Sequence, residues 1–581
     1  MKKIIPLIHL TVGYLFLLCY SIIYNTSSAL VYQTHNIFTI PIYCFICYIL
    51  FHGWKIYPSL NKNKWIFPVI GCIYSSFLIF GTSIRNYNFV SFVSIITWLS
   101  IFTFSYVMTA ALLFIYHRLL PQLYKICTNG TNSKIESLYA RVNFFHFWIA
   151  LIVFWIPYLL ACYPGIASYD ANYQLSQVGE TLNLTAHHPI IHTLLLGGCV
   201  QFGRLYFNSA NIGMLIYSLI QIIIISGIMA YCLHFLKKHN VSAILCFISF
   251  IFFAFMPFNG LFAICATKDS IFGALFLLLI ILQSEMNLNS SSFFNSKKYT
   301  ILLILVIFLL LTFRNNMLYA LLLSVIFMLF AYRKYWKQIL CICFIPILLL
   351  QLYQTLLYPK LNVAPGNSRE AYSVIMQQFA NVYNNCTIDS DDKKLLLELM
   401  DDECWQEYEP RKSDAIKNHF KTTIFTDNIE TYLKLWIKLG IQNPTCYLNA
   451  FFNLTYAYWY PNDILPDQTT YRKYIEIYDC SDISFDSKIP SLFKILKKIG
   501  MEASYQNYPV ISVIFTPAFY IWILLFVFAV NFYNQKFNFI KLLIFPATIF
   551  LTLLLGPVAL LRYLYPIIIC VPFLIPINTK F

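Results

Sequence analysis

The chain has 581 residues, 59% hydrophobic and only 11% charged; soluble domains carry roughly 25% charged residues, so this composition excludes a water-soluble globular protein. The net charge of +15 is unevenly spread: residues 359–508 hold 20 of the 25 acidic and 16 of the 40 basic residues, and the remainder holds 24 basic and 5 acidic. Basic residues in short connections between apolar runs are the topology signal of cytoplasmic loops, so the charge points to sidedness and not to nucleic acid.

The N-terminus reads Met1-Lys2-Lys3 and then runs apolar to about Tyr24. That run is too long for a signal peptide and shows no small-residue cleavage site, which predicts a retained first helix. Further apolar runs fall at 36–52, 66–83, 88–117, 142–163, 211–235, 241–257, 269–284, 300–313, 317–331, 338–358, 509–531, 541–556 and 560–578. Crossing lipid takes about 20 apolar residues, and backbone groups there are satisfied only within a helix, so the pattern predicts about 14 spans in an all-α polytopic membrane protein. The expected units are 1–141 (four helices and a cytoplasmic loop), 142–358 (a transmembrane core), 359–508 (a large α-rich polar domain) and 509–581 (the last helices).

With the N-terminus inside, the inner loops collect 19 basic residues, among them Lys237, Lys238, Arg333, Lys334 and Lys541, against five outside: Arg85, Arg204, Lys268, Arg314 and Arg562. This asymmetry puts 359–508 outside the cell. The apolar stretch Ile190–Val200 is short and contains His192, so 171–206 is expected as an outer loop with helices lying on the membrane surface.

Five acidic residues lie outside the polar segment: Glu136, Asp170, Glu180, Asp269 and Glu285. Ionisable groups at membrane depth are costly and tend to be functional. Asp170 follows Pro164-Gly165, which ends a helix. His187-His188-Pro189 comes later on the same loop, and Lys268-Asp269 opens another helix. Arg314-Asn315-Asn316 interrupts two apolar runs, and Arg562 follows Gly556-Pro557. The sidedness count puts all five clusters on one face. A carboxylate there serves as a general base toward a hydroxyl, and Lys and Arg at a membrane edge hold a lipid-linked phosphate. Four cysteines, Cys386, Cys404, Cys446 and Cys480, fall in the polar segment, where an outer location allows one or two disulfides. No spacing of a metal site is present, and no cofactor is expected; a divalent metal stays open.

At these residues the sequence resembles the GT-C superfamily of membrane glycosyltransferases, which use polyprenyl-phosphate sugars. The likeness lies in Asp170 with Tyr173, followed by His188-Pro189-Ile190. Ile190 stands where a second proline is usual, and Asn172 where a second acid is usual. More closely, the chain resembles an uncharacterised family of bacterial GT-C-like proteins from about Trp155 to Pro566. Its anchors are Ser168 to Asp170, His187 to Pro189, Lys268-Asp269, Phe313 to Asn316, Arg369-Glu370 with Gln377-Gln378, Tyr458 to Pro461, and Gly556-Pro557 with Arg562-Tyr563.

The resemblance implies a GT-C-like core with its catalytic first outer loop at 164–210. Asp170 is then the general base, with His187, His188 and Asp269 as its catalytic neighbours. Lys268, Arg314 and Arg562 hold the donor phosphate. Tyr458, Trp459, Tyr460, Gln377 and Gln378 bind the acceptor. The implied partners are a polyprenyl-phosphate-linked sugar, a cell-envelope glycan or glycolipid acceptor and the bilayer of a bacterial plasma membrane. The competing expectations are a transporter or flippase of lipid-linked sugars, which would place polar residues near the bilayer midplane, and a polysaccharide polymerase or ligase.

Overall fold

The computed structural model describes residues 4–23, 39–129, 133–168, 170–178, 183–366, 368–461 and 482–581. The expectations for Lys2, Lys3, Glu180 and Cys480 lie outside them. Among the described residues the regular structure is helical, with only isolated bridges between extended segments. Among the described residues nine helices are long and apolar enough to cross a membrane. Shorter apolar helices cover Ile4–Tyr20, Ala243–Phe255, Asn316–Ala331, Pro517–Tyr533 and Phe537–Leu553. The protein is an all-α polytopic membrane protein.

Each apolar run forms helix for the same reason: in lipid no other local structure satisfies its backbone. Proline divides some of them, as at Thr516, which is extended ahead of Pro517. The hub is Lys268–Leu288, apolar around its whole circumference and buried on all sides. It packs against Ala210–Lys238, Lys297–Phe313 and Leu561–Ile568. Gly273 allows the last of these to close in, since a Cβ there would stand 2.7 Å from Tyr565 Cδ1.

The loops sort to two ends of the bundle. At one end Lys237 Nζ donates to the Ala140 and Val142 carbonyls, and His239 pairs with Glu285 at 3.0 Å. Gln283 donates to Lys541 O at 2.7 Å, and Lys541 lies over the Tyr332 ring. These loops are among those the charge count grouped as inner. At the opposite end meet residues 160–168, 170, 184–190, 262–268, 314 and 562.

One expectation needs correction. Within 171–206, the segment Ile190–Phe207 is not a short apolar stretch but a continuous 18-residue helix, one of the nine. Its length was hidden because Gln201 and Arg204 interrupt the apolar pattern. Arg204 Nε donates to Asp482 at 2.7 Å, and nearby Asp486 N donates to Tyr163 O at 2.9 Å.

The described part of the polar segment builds its own core from Ser373–Asn385, Ser390–Leu399, Ile429–Gln442 and Pro444–Thr455, around Phe379, Trp405, Phe425 and Leu439. It clamps the N-terminal helices: Arg411 donates to Ile84 O and Asn88 Oδ1, and Asn453 donates to Asn88 O. Cys386 and Cys446 bring their sulfurs to 2.7 Å within this domain.

Candidate functional site

The site begins with how the 162–170 loop is held. Gly165 has φ +140, and a Cβ on it would stand 2.1 Å from Ser218 Oγ, so only glycine fits. Ser218 Oγ donates to Pro164 O at 3.2 Å. Ile166 N then donates to Ile264 O, and Ala266 N to Ile166 O, both at 2.9 Å. This short parallel pairing aligns two segments far apart in sequence, and each continues into a charged residue. One leads to Asp170, the other to Lys268.

Lys268 Nζ donates to Asp170 Oδ2 at 3.2 Å and to His188 Nδ1 at 3.3 Å, and His188 Nδ1 lies 3.6 Å from the same carboxylate oxygen. An ammonium only donates, so His188 Nδ1 accepts and the imidazole carries its proton on Nε2. Burial by itself would raise the Asp170 carboxyl; the Lys268 and Arg562 charges overcome it and hold the group well below the usual carboxylate range. Burial, joined by the Lys268 charge, pushes the His188 imidazole down to about 3. His187 stands edge-on to His188 at 4.6 Å between ring centres; burial lowers it too, while Glu370 of the polar segment partly opposes that shift.

Next to this trio lies a second. Asp269 is in the first turn of the hub helix, where a carboxylate meets the positive end of the helix dipole. Arg314 Nη1 is 3.1 Å from its Oδ1, and Arg562 Nη1 is 3.9 Å from its Oδ2. Arg314 sits where the helix ending at Phe313 breaks before Asn316–Ala331; Arg562 opens Leu561–Ile568. Both guanidinium groups lie against the Tyr563 ring, at 4.8 and 4.9 Å. Across the two trios three cations face two carboxylates, so the site carries one net positive charge next to a helix N-terminus. That combination attracts an anion.

A family model, described as a family of unknown function, DUF6020, matches residues 178–578. The chain belongs to DUF6020. No curated protein and no solved structure matches it. The DUF6020 region includes His187, His188, Lys268, Asp269, Arg314, Arg562 and the polar segment; Asp170 stands eight residues before it.

A buried relay that the sequence reading missed runs from Gln174, just before the DUF6020 region, into that region. His192 Nε2 is 2.8 Å from Tyr217 Oη, and its Nδ1 is 3.0 Å from Gln174 Oε1. Tyr217 donates to Gln221 Oε1 at 2.7 Å, and Gln221 Nε2 donates to the Phe262 and Cys265 carbonyls, both at 2.8 Å. The relay joins the helix after Asp170 to the loop before Lys268. The available signal was polar side chains inside apolar runs: His192 was read only as a reason not to span, and Gln221 was passed over.

Four sequence-predicted residues, Gln377, Gln378, Trp459 and Tyr460, lie away from the charged cluster. Gln377 is buried and donates to Glu409 O at 3.1 Å; Gln378 accepts from Trp436 Nε1 at 2.7 Å. Both serve the core of the polar domain, which corrects their reading as acceptor ligands. Trp459 packs on Phe77 and Phe452, and Tyr460 on Tyr456 and Gly81. Tyr458 is also buried, near Phe550, but it stands within electrostatic reach of Arg314, Tyr563 and Asp269 and so borders the site. The Trp459 and Tyr460 rings are covered by protein and pack the polar segment on the bundle. Among the described residues no group of three His, Cys, Asp or Glu side chains could hold a metal ion.

Proposed function

We propose that the protein is a GT-C-type membrane glycosyltransferase. It moves one sugar from a polyprenyl-phosphate donor to a cell-envelope glycan or glycolipid at the outer face of a bacterial plasma membrane, with the 359–508 domain outside and about 14 spans. The observation that carries this reading is the pairing of an accessible carboxylate with an excess of cations. Asp170 is half-buried and bonded to Lys268, with Arg314 and Arg562 close behind.

In this reading the donor phosphate binds at Lys268, Arg314 and Arg562. It draws the Lys268 ammonium from Asp170, whose carboxylate then regains basicity. Asp170 takes the proton of the acceptor hydroxyl. The acceptor oxygen attacks the anomeric carbon, the bond from that carbon to the phosphate oxygen breaks, and the phosphate leaves with the electron pair. A single displacement inverts the anomeric centre. His188, neutral and accepting from Lys268, steadies the ammonium; His187 and Asp269 position the groups around it.

The test is transfer of labelled sugar from a panel of polyprenyl-phosphate donors in purified membranes, comparing wild type with Asp170→Asn at matched expression. The expected result is donor-dependent transfer that collapses in the variant. Robust transfer by Asp170→Asn removes the base. Translocation of the lipid-linked sugar without any transfer replaces the enzyme with a transporter.

A further inference from the structure

Between the polar segment and the last membrane helices lies Pro490–Gly500, with the sequence PSLFKILKKIG. Its residues divide by face. Phe493, Leu496 and Gly500 pack toward Cys162, Ile166 and Leu261, at the end of the Phe144–Ala161 helix and the start of the Asp170 loop. Lys494, Lys497 and Lys498 follow i, i+3, i+4 spacing, so they are neighbours on the helix surface, with Lys497 at the edge of the packed face beside Cys162, Ile166 and Leu261. All three are exposed.

Two further observations single out this face. Several lysines elsewhere in the polar segment are matched by acids, as Lys417 is by Glu370 and Asp414, Lys421 by Asp401 and Lys438 by Asp392. Among the described residues no carboxylate pairs with Lys494, Lys497 or Lys498. The helix is also fastened at the level where a membrane helix ends. Lys488 N donates to Leu160 O at 2.9 Å, and the Lys488 ammonium lies over the Tyr163 ring at 5.0 Å. Apolar side chains stand exposed on and just after it: Ile495, Tyr508, Ile511 and Val513.

A short helix with one packed apolar face, one unmatched basic face and exposed apolar neighbours at a membrane edge is built for an interface. We infer that Pro490–Gly500 is a docking surface for anionic phospholipid headgroups, with Lys494, Lys497 and Lys498 taking the lipid phosphates. The occupant is the bilayer itself, by charge complementarity, because these lysines face no acid among the described residues. The helix also abuts Ile166, so bound lipid fixes the depth of the Asp170 loop. This inference stands apart from the transferase reading and needs only that the chain resides in a bilayer.

The full chain, purified and delipidated in mild detergent, is titrated with phosphatidylglycerol or phosphatidylcholine, and bound lipid is counted by native mass spectrometry. Wild type is expected to prefer phosphatidylglycerol by about tenfold or more, since each lysine near an anionic surface contributes several-fold. The triple variant Lys494→Gln, Lys497→Gln, Lys498→Gln is expected to lose that preference at one tight site per chain, and the corresponding Arg triple to keep it. Equal phosphatidylglycerol binding by wild type and the Gln triple overturns the inference. So does equal binding of the two lipids by wild type, or loss in the Arg triple. Displacement of the lipid by excess inorganic phosphate overturns it in favour of a free-phosphate site.

Discussion

Asp170 and Asp269 are both carboxylates facing basic partners, yet 35% of one side chain is exposed against 1% of the other. Asp170 shares its ammonium with a histidine, and solvent reaches the group, so the pair can be opened by an incoming anion at modest cost. Asp269 is enclosed by two guanidinium groups and an aromatic ring, where separating charges is expensive. The same chemistry is therefore divided between an exchangeable half and a fixed half. The fixed half holds Arg314 and Arg562 in place, and the exchangeable half is free to act.

The division can be broken in order of expected effect. Asp170→Asn should lower transfer about 10²–10⁴-fold, the usual share of a general base, while costing less thermal stability than Asp269→Asn, because solvent still reaches the Asp170 pair. Asp269→Asn should do the reverse first: two arginines lose their counter-charge, and stability measured by thermal unfolding in detergent should fall by about 3–5 kcal/mol. Equal stability losses in the two variants would erase the distinction. His192→Phe leaves Gln174 and Tyr217 without their buried partner and should cost about 1–3 kcal/mol, with a loss of transfer through the 262–268 loop.

The smallest effect is in pH. The unfolded imidazole of His188 takes a proton below about 6.5, whereas the folded one resists until about 3. The unfolded state therefore binds more protons in that window, and stability must fall as pH drops through it. Asp170, also held low, adds its own loss below about pH 4. Unfolding curves recorded from pH 7 to 5 should show the His188 slope, and His188→Asn should flatten it.

Much of this was legible in the chain. Runs of about 20 apolar residues force helices, and in so apolar a sequence the few charges stand out, so Asp170, Lys268, Asp269, Arg314 and Arg562 could be picked without coordinates. Who pairs with whom was not legible, because the 166/265 backbone pairing that sets Asp170 against Lys268 joins segments about a hundred residues apart. Trp459 and Tyr460 were ambiguous for a different reason. Aromatic residues that stack on sugars and those that wedge two helical layers together have the same composition, and only burial separates them. Gln377 and Gln378 fell to the same ambiguity, since a buried amide and a ligand-binding amide read alike.

The order in which these partners leave the ribosome matters as well. Asp269 emerges first, Arg314 follows 45 residues later, and Arg562 only after 293. At about 5–20 residues per second the second arginine arrives roughly 15–60 s after the carboxylate it must face. During that interval the hub helix is already made while its N-terminus lacks part of its final counter-charge. The insertion machinery therefore handles a nascent hub whose electrostatic closure depends on one of the last helices, and a chain truncated before Leu561–Ile568 would carry a site that never closes.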